Sequence, residues 1–189
     1  MIAFKEWQVI CDALASGKQS IIFRKGGIHE GREGFSFKEE NFFLFPTRFH
    51  AQGDQVRGEA PPILPEWEPG ETVEITHFAT AEWAETLTTW DQVAALGDYH
   101  IWTDECLKAR FDWSGKGMAE GSIHVAFLRI HRLDEPISFP YEKGLGGCRS
   151  WVELPLEEDL EIALHPVVDD DKHAALESEI RDLLSASST

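Results

Sequence analysis

Apolar side chains along this chain recur at two spacings, and the switches between them mark out its elements. Phe4, Trp7, Cys11 and Leu14 follow one another at three and four residues, which predicts a first helix stopped at Gly17. Residues 20–25 (SIIFRK) then read as a strand ended by Gly26-Gly27. The run 42–45 (FFLF) is apolar on both faces and predicts a central strand, with Pro46 closing its ladder. Residues 54–72, with Pro61, Pro62, Pro65, Pro69 and Gly70, read as an irregular surface passage. Beyond it Val73, Ile75 and His77 alternate as a strand does. A Thr89-x-x-Gln92 capping box opens a short helix through Trp90, Val93 and Leu96 to Gly97. Thr103 caps another helix, with Asp104 and Glu105 at the positive end of its dipole.

The longest strand is expected over 122–133 (SIHVAFLRIHRL). Ile123, Val125, Phe127, Arg129 and His131 share one face, and His124, Ala126, Leu128, Ile130 and Arg132 the other. Trp151, Val152 and Leu154 make a shorter strand after GLGGCR. A closing helix runs over 171–184, where Leu176, Ile180 and Leu183 repeat at helical spacing, and residues 185–189 read as a frayed tail. Strands and helices do not alternate in regular βαβ units. The expectation is therefore an α+β protein, one mixed domain over 1–189, with a mostly antiparallel sheet packed by several short helices and a C-terminal helix.

Composition is that of a soluble globular chain: 189 residues, 42% hydrophobic and 11% aromatic. No apolar run is long enough to span a bilayer, and the N-terminus lacks the basic start of a secretory signal. Three widely spaced cysteines with no CxxC argue against a disulfide framework, so a cytoplasmic location is expected. Charge changes the picture more. The net of −17 is unevenly spread: residues 1–60 and 100–151 are each neutral overall, whereas 61–99 carry eight acids and no base and 152–189 eleven acids and two bases. The ordinary reading of both acidic blocks is solvated surface; the functional alternative is that they repel polyanions from everywhere except one face.

Inside the neutral blocks cations stand beside paired glycines. In FRKGGIHEGREGF, Arg24 and Lys25 precede Gly26 and Gly27, and Arg32 returns on the far side of the loop. Successive glycine N–H groups can line a concavity that holds an anion. Neither GxxxxGK[ST] nor GxGxxG is present, so no nucleotide loop is indicated. In LFPTRFH, Arg48 and His50 lie at a strand end, where sites tend to be built. Arg129 and His131 are two residues apart on one strand face, and Arg149 again sits beside a glycine pair in GGCRSW. No HExxH or other metal-ligand spacing and no GxSxG elbow occurs, so neither a metal nor a cofactor is expected.

Four stretches together carry a family resemblance: KEWQVICDALASGKQSIIFRKGGIHEG, FFLFPTRFH, HIWTDECLKARF, and LRIHRL with GGCRSWVELP. Over residues 4–155 the chain resembles the bacterial domain-of-unknown-function family 1802, with 156–184 an acidic C-terminal extension. The resemblance implies a cytoplasmic bacterial protein, mostly a stand-alone domain. It brings no activity and no assigned residues, and it points modestly to nucleic acid through restriction-type nuclease neighbours. More loosely, ALASGKQSIIFR is similar to the start of RNA-binding barrels of the ASCH and PUA-like kind, although Ile22 stands where those carry glutamate.

The leading expectation is a binding module for an anionic ligand, a nucleotide or single-stranded nucleic acid, in a pocket lined by Arg24, Lys25, Gly26, Gly27, Arg32, Arg129 and Arg149. Trp102 or Trp151 would stack on the bases. An alternative is a hydrolase or nucleotide-processing enzyme with His50 or His131 as general base. A third is a regulatory subunit whose acidic segments face a basic protein partner. No membrane partner is expected.

Overall fold

The computed structural model describes residues 1–25, 39–48, 52–58, 65–147, 149–156 and 162–187. Among the described residues seven strands form one mixed sheet: β1 (Ile2–Trp7), β2 (Ile21–Lys25), β3 (Asn41–Thr47), β4 (Thr72–Leu87), β5 (Ile123–Pro140), β6 (Trp151–Glu153) and β7 (Leu164–Pro166). Their order is β2-β5-β4-β3-β1-β6, with β7 beside β5 on the same edge as β2. Only β1 and β3 run parallel; every other named pair is antiparallel. The described residues also form four α-helices that accompany the sheet: α1 (Gln8–Ala15), α2 (Trp90–Ala95), α3 (Asp104–Phe111) and α4 (Asp170–Ala186). The expected α+β architecture with a C-terminal helix is the observed one.

Opposed residues in a β ladder share a face, so the registers show what each side of the sheet covers. Phe23 lies opposite Val125 and Ile21 opposite Phe127. That face meets the helices: the Phe23 ring stands edge-on to His100 and Trp102 near α3, and Phe127 stacks on Trp83 and on His173 of α4. Ile22 and Arg24 project to the other face. There the sheet curls, because Arg24 on β2 lies over the Phe4 ring of β1, although these strands are near opposite ends of the strand order. The concave side is filled by Phe4, Phe42, Leu44, Ile22 and Leu128, all at most 3% exposed. A second cluster around Phe43, Phe45, Val73, Ile75 and Leu145 packs the convex side of β1 and β3.

One element differs from the expectation. Residues 2–7 are a strand, not the first half of a helix, and Phe4 and Trp7 therefore face opposite sides. IAFKEW is a short apolar run broken by two charges, and such a run does not by itself choose between strand and helix. The ladder decides: β1 pairs with β3 from Ala3–Phe43 to Trp7–Thr47 and with β6 from Ile2 to Phe4. The helix begins only at Gln8, and its N-cap, Trp7, offers no side-chain hydrogen bond. Pro46 likewise does not end β3; it stands opposite Glu6, and its carbonyl accepts from Trp67 Nε1 at 3.0 Å.

Local signals elsewhere are realised as read. The Thr89–Gln92 capping box forms reciprocally. Thr103 caps α3 through the Cys106 N–H. Behind α3, Gly121 leaves room for Phe111: an added Cβ would lie 2.4 Å from the ring and 2.9 Å from the Phe111 carbonyl oxygen. Gly121→Ala is expected to cost about 1–3 kcal/mol by overpacking. It would be read as a lower urea midpoint with an unchanged slope.

Candidate functional site

Where the curl brings β2 back towards β1 and β6, the seam does not close fully. It leaves a cleft of about 1180 Å³. Six of its described lining residues are cations (Lys5, Arg24, Lys25, Arg48, Arg110 and Arg149) against four carboxylates (Glu6, Asp54, Glu66 and Glu105). In a chain of net charge −17, this reverses the local sign.

The cations are held in place by what lies beneath them. Lys5 is 9% exposed and donates through Nζ to the carbonyls of Leu145 and Gly147 at 3.0 and 2.7 Å, tying the 143–147 turn to β1. Arg24 lies 4.5 Å above the centre of the Phe4 ring, donates to Ser150 Oγ, and approaches Glu6 Oε2 at 3.6 Å. Arg110 lies 4.4 Å above Trp7 and donates to the Phe23 carbonyl. Arg48 covers Trp67, which also stacks with Tyr141, and reaches Glu71 at 3.4 Å. Three guanidinium groups are thus laid on aromatic rings around a single hollow. Such stacking fixes the plane of the group while its N–H edges remain directed elsewhere. Burial pulls the Arg24 pKa down, and the Glu6 carboxylate acts in the opposite direction; arginine stays charged under any such balance.

Cys106 also lines the cleft and donates to Gln55 Oε1 at 3.3 Å. Burial pushes its thiol up, and the opposing pull of Arg110 does not cancel this. A protonated thiol is a poor nucleophile.

Of the residues singled out from sequence, Arg24, Lys25 and Arg149 do meet at this cleft, although they come from opposite ends of the strand order. Lys25 and Arg149 are exposed, and Arg149 donates to the Gly144 carbonyl at 2.6 Å. Gly26, Gly27 and Arg32, and likewise His50, lie outside the described residues.

Two expected members belong elsewhere. Arg129 lies on the helix-covered side of β5, where it bonds to Asp170 of α4. It is not among the residues around the cleft, because β5 carries it five positions beyond His124, the residue opposite Arg24. Trp102 is 0% exposed, enclosed by Phe23, His100 and the Arg110 guanidinium, so its faces serve the core and none is open to a base. Trp151 is half-buried against Phe4 and Phe42 and edges a smaller hollow of about 580 Å³ beside Arg149. His131 shares the face of Arg129. Its Nδ1 is buried without a hydrogen-bond partner among the described residues, and burial lowers its pKa, helped by Arg129. Among the described residues the cleft has no histidine.

Lys5, Glu6, Arg110 and Trp67 line the cleft without having stood out in the sequence. Lys5 and Glu6 were hidden by the helical reading of residues 2–7, which places polar side chains on a solvated face. As a strand, the same segment buries both. Two adjacent charges inside an otherwise apolar run were the available signal.

A family described as "Domain of unknown function (DUF1802)" matches residues 3–179, and the chain belongs to it. No curated protein matches the chain. Among solved structures, the chain is similar to ASCH from Zymomonas mobilis, at 14% identity and a TM-score of 0.43, covering 72% of this chain and 71% of that one. It is also similar to a serine-to-alanine mutant of that protein, at 13% identity and a TM-score of 0.45 over 94% of each chain. No described helix is long and apolar enough to cross a membrane.

Proposed function

We propose that this protein is a binding module whose seam cleft holds a single-stranded nucleic acid or a nucleotide, with Arg24, Lys25, Arg48, Arg110 and Arg149 as the anion-binding groups. The observation that carries the reading is the convergence of three ring-mounted arginines and two further cations in one hollow of a strongly acidic chain. Phosphates supply the charge such a hollow lacks, and bases supply flat faces for guanidinium and aromatic planes. Size favours a strand over a mononucleotide. About 1180 Å³ exceeds the roughly 300–1,000 Å³ of ordinary small-ligand pockets. Duplex is disfavoured, since a long rod of phosphates would meet the acidic exterior on either side of the cleft. The described groups are suited to holding a ligand more than to moving protons, because the Cys106 thiol is pushed up and His131 faces α4.

The test uses Lys25 and Arg149, which are exposed and whose removal leaves no buried charge behind. Binding of a fluorescent short oligouridylate at low salt is expected to weaken about tenfold in Lys25→Ala/Arg149→Ala. The slope of log affinity against log salt should become shallower by about 1.4, at about 0.7 per lost phosphate contact. Absence of measurable binding by the unmodified protein at low salt would sink the proposal.

A further inference from the structure

We propose, resting on the nucleic-acid reading of the cleft, that Glu6 and Arg24 form a base reader at its floor and that the base is guanine. Glu6 is 2% exposed, and its Oε1 accepts from the Trp7 N–H at 2.8 Å. Its other oxygen, Oε2, is buried and accepts no hydrogen bond from the described residues; Arg24 Nη1 stands 3.6 Å away, an ion pair too long to be one. A buried carboxylate oxygen without a donor is costly and calls for a partner. Beside it, Arg24 spends one Nη2 bond on Ser150 and rests on Phe4, while a guanidinium carries five N–H donors.

The floor therefore presents an acceptor-only group next to a donor-only group. A base that satisfies both must bring N–H donors to Glu6 and a lone pair to Arg24. A carboxylate is best matched by two N–H groups in a row. On its pairing edge guanine alone of the four bases has two adjacent donor positions, N1–H and the N2 amine, followed by the O6 acceptor. Cytosine and adenine offer a single amine, and uracil a single N–H between two carbonyls. Guanine O6 goes to Arg24 and its two N–H positions to Glu6. Reaching Oε2 takes a rotation of Arg24 away from Ser150, with the Phe4 face as the surface on which it turns. Sites built to hydrogen-bond a ligand reject analogues that leave their buried groups unpaired.

The experiment compares short oligouridylates carrying one internal guanosine, adenosine, cytidine or inosine, by fluorescence anisotropy against the full chain. Guanosine is expected to bind roughly tenfold tighter than adenosine or cytidine, and inosine, which lacks the N2 amine, to lose most of that preference. Glu6→Gln should erase the guanosine preference, read as the ratio of guanosine to adenosine affinity falling to about 1. A purely structural Glu6 would lower all four affinities together. If all strands bind alike, or if inosine matches guanosine, the guanine reader is wrong while the cleft reading stands. If no strand binds, both fall. The inosine comparison needs no variant, so it decides the matter even if Glu6→Gln fails to fold.

Discussion

Arg24→Ala is expected to destabilise the fold by about 3–5 kcal/mol. Glu6 is 2% exposed, and Arg24 is the cation at its carboxylate, at 3.6 Å. Truncating the arginine leaves that carboxylate in the curled sheet with the Trp7 N–H as its remaining described hydrogen-bond donor. The attraction between a buried pair does little more than offset the cost of desolvating both, so breaking it from one side is far worse than removing both sides. Two further losses point the same way: the ring contact with Phe4, and the Ser150 bond that joins β2 to the β6 end of the sheet. Arg24→Met with Glu6→Gln should accordingly recover most of the loss, because neither residue then carries a charge. Urea unfolding at neutral pH of both single variants and the double variant gives the coupling directly. A loss below about 1 kcal/mol in Arg24→Ala would mean that solvent screens the pair as it does surface pairs, and the floor of the cleft would then be open water.

That floor was half legible in the sequence. Arg24, Lys25 and Arg149 could be picked out because each sits beside a glycine pair in a charge-neutral block. Arg129 followed the same logic and ended up elsewhere. Sequence spacing tells which face of β5 a residue takes, but not that the face of Phe127 and Arg129 would be claimed by α4 through His173 and Asp170. Trp102 failed for a related reason: HIW reads as a short apolar approach to a helix, and only packing against Phe23 and His100 turns it inward. The Thr89 and Thr103 caps are legible because their partners lie within four positions. Residues 2–7 were misread because what makes them a strand, the parallel ladder to the distant β3, is invisible to local periodicity.

Lowering the pH from about 7 is expected to cost this fold stability through its buried histidines, with His100 the largest single contributor. His100 is 6% exposed. Burial lowers its pKa from 6.5 to about 3, and the Arg57 guanidinium, whose Nη2 lies 3.0 Å from Nδ1, adds to the effect. The unfolded chain takes up this proton near pH 6.5, whereas the folded one refuses it until about pH 3. Between those values the unfolded state binds more protons, so stability rises with pH. The contribution is complete above pH 6.5 and is lost progressively on descent to about 3. At about 1.4 kcal/mol per pH unit, His100 alone accounts for roughly 2–3 kcal/mol between neutral pH and about 4.5. Burial moves His77, His124 and His131 in the same direction, which steepens the fall. His100→Gln keeps an acceptor for Arg57 but cannot titrate, so its unfolding free energy, followed by urea titration across that range, should fall less steeply by up to one proton. An unchanged slope in that variant would mean that His100 is protonated in the fold at ordinary acidity, and that its contact with Arg57 is not the one described.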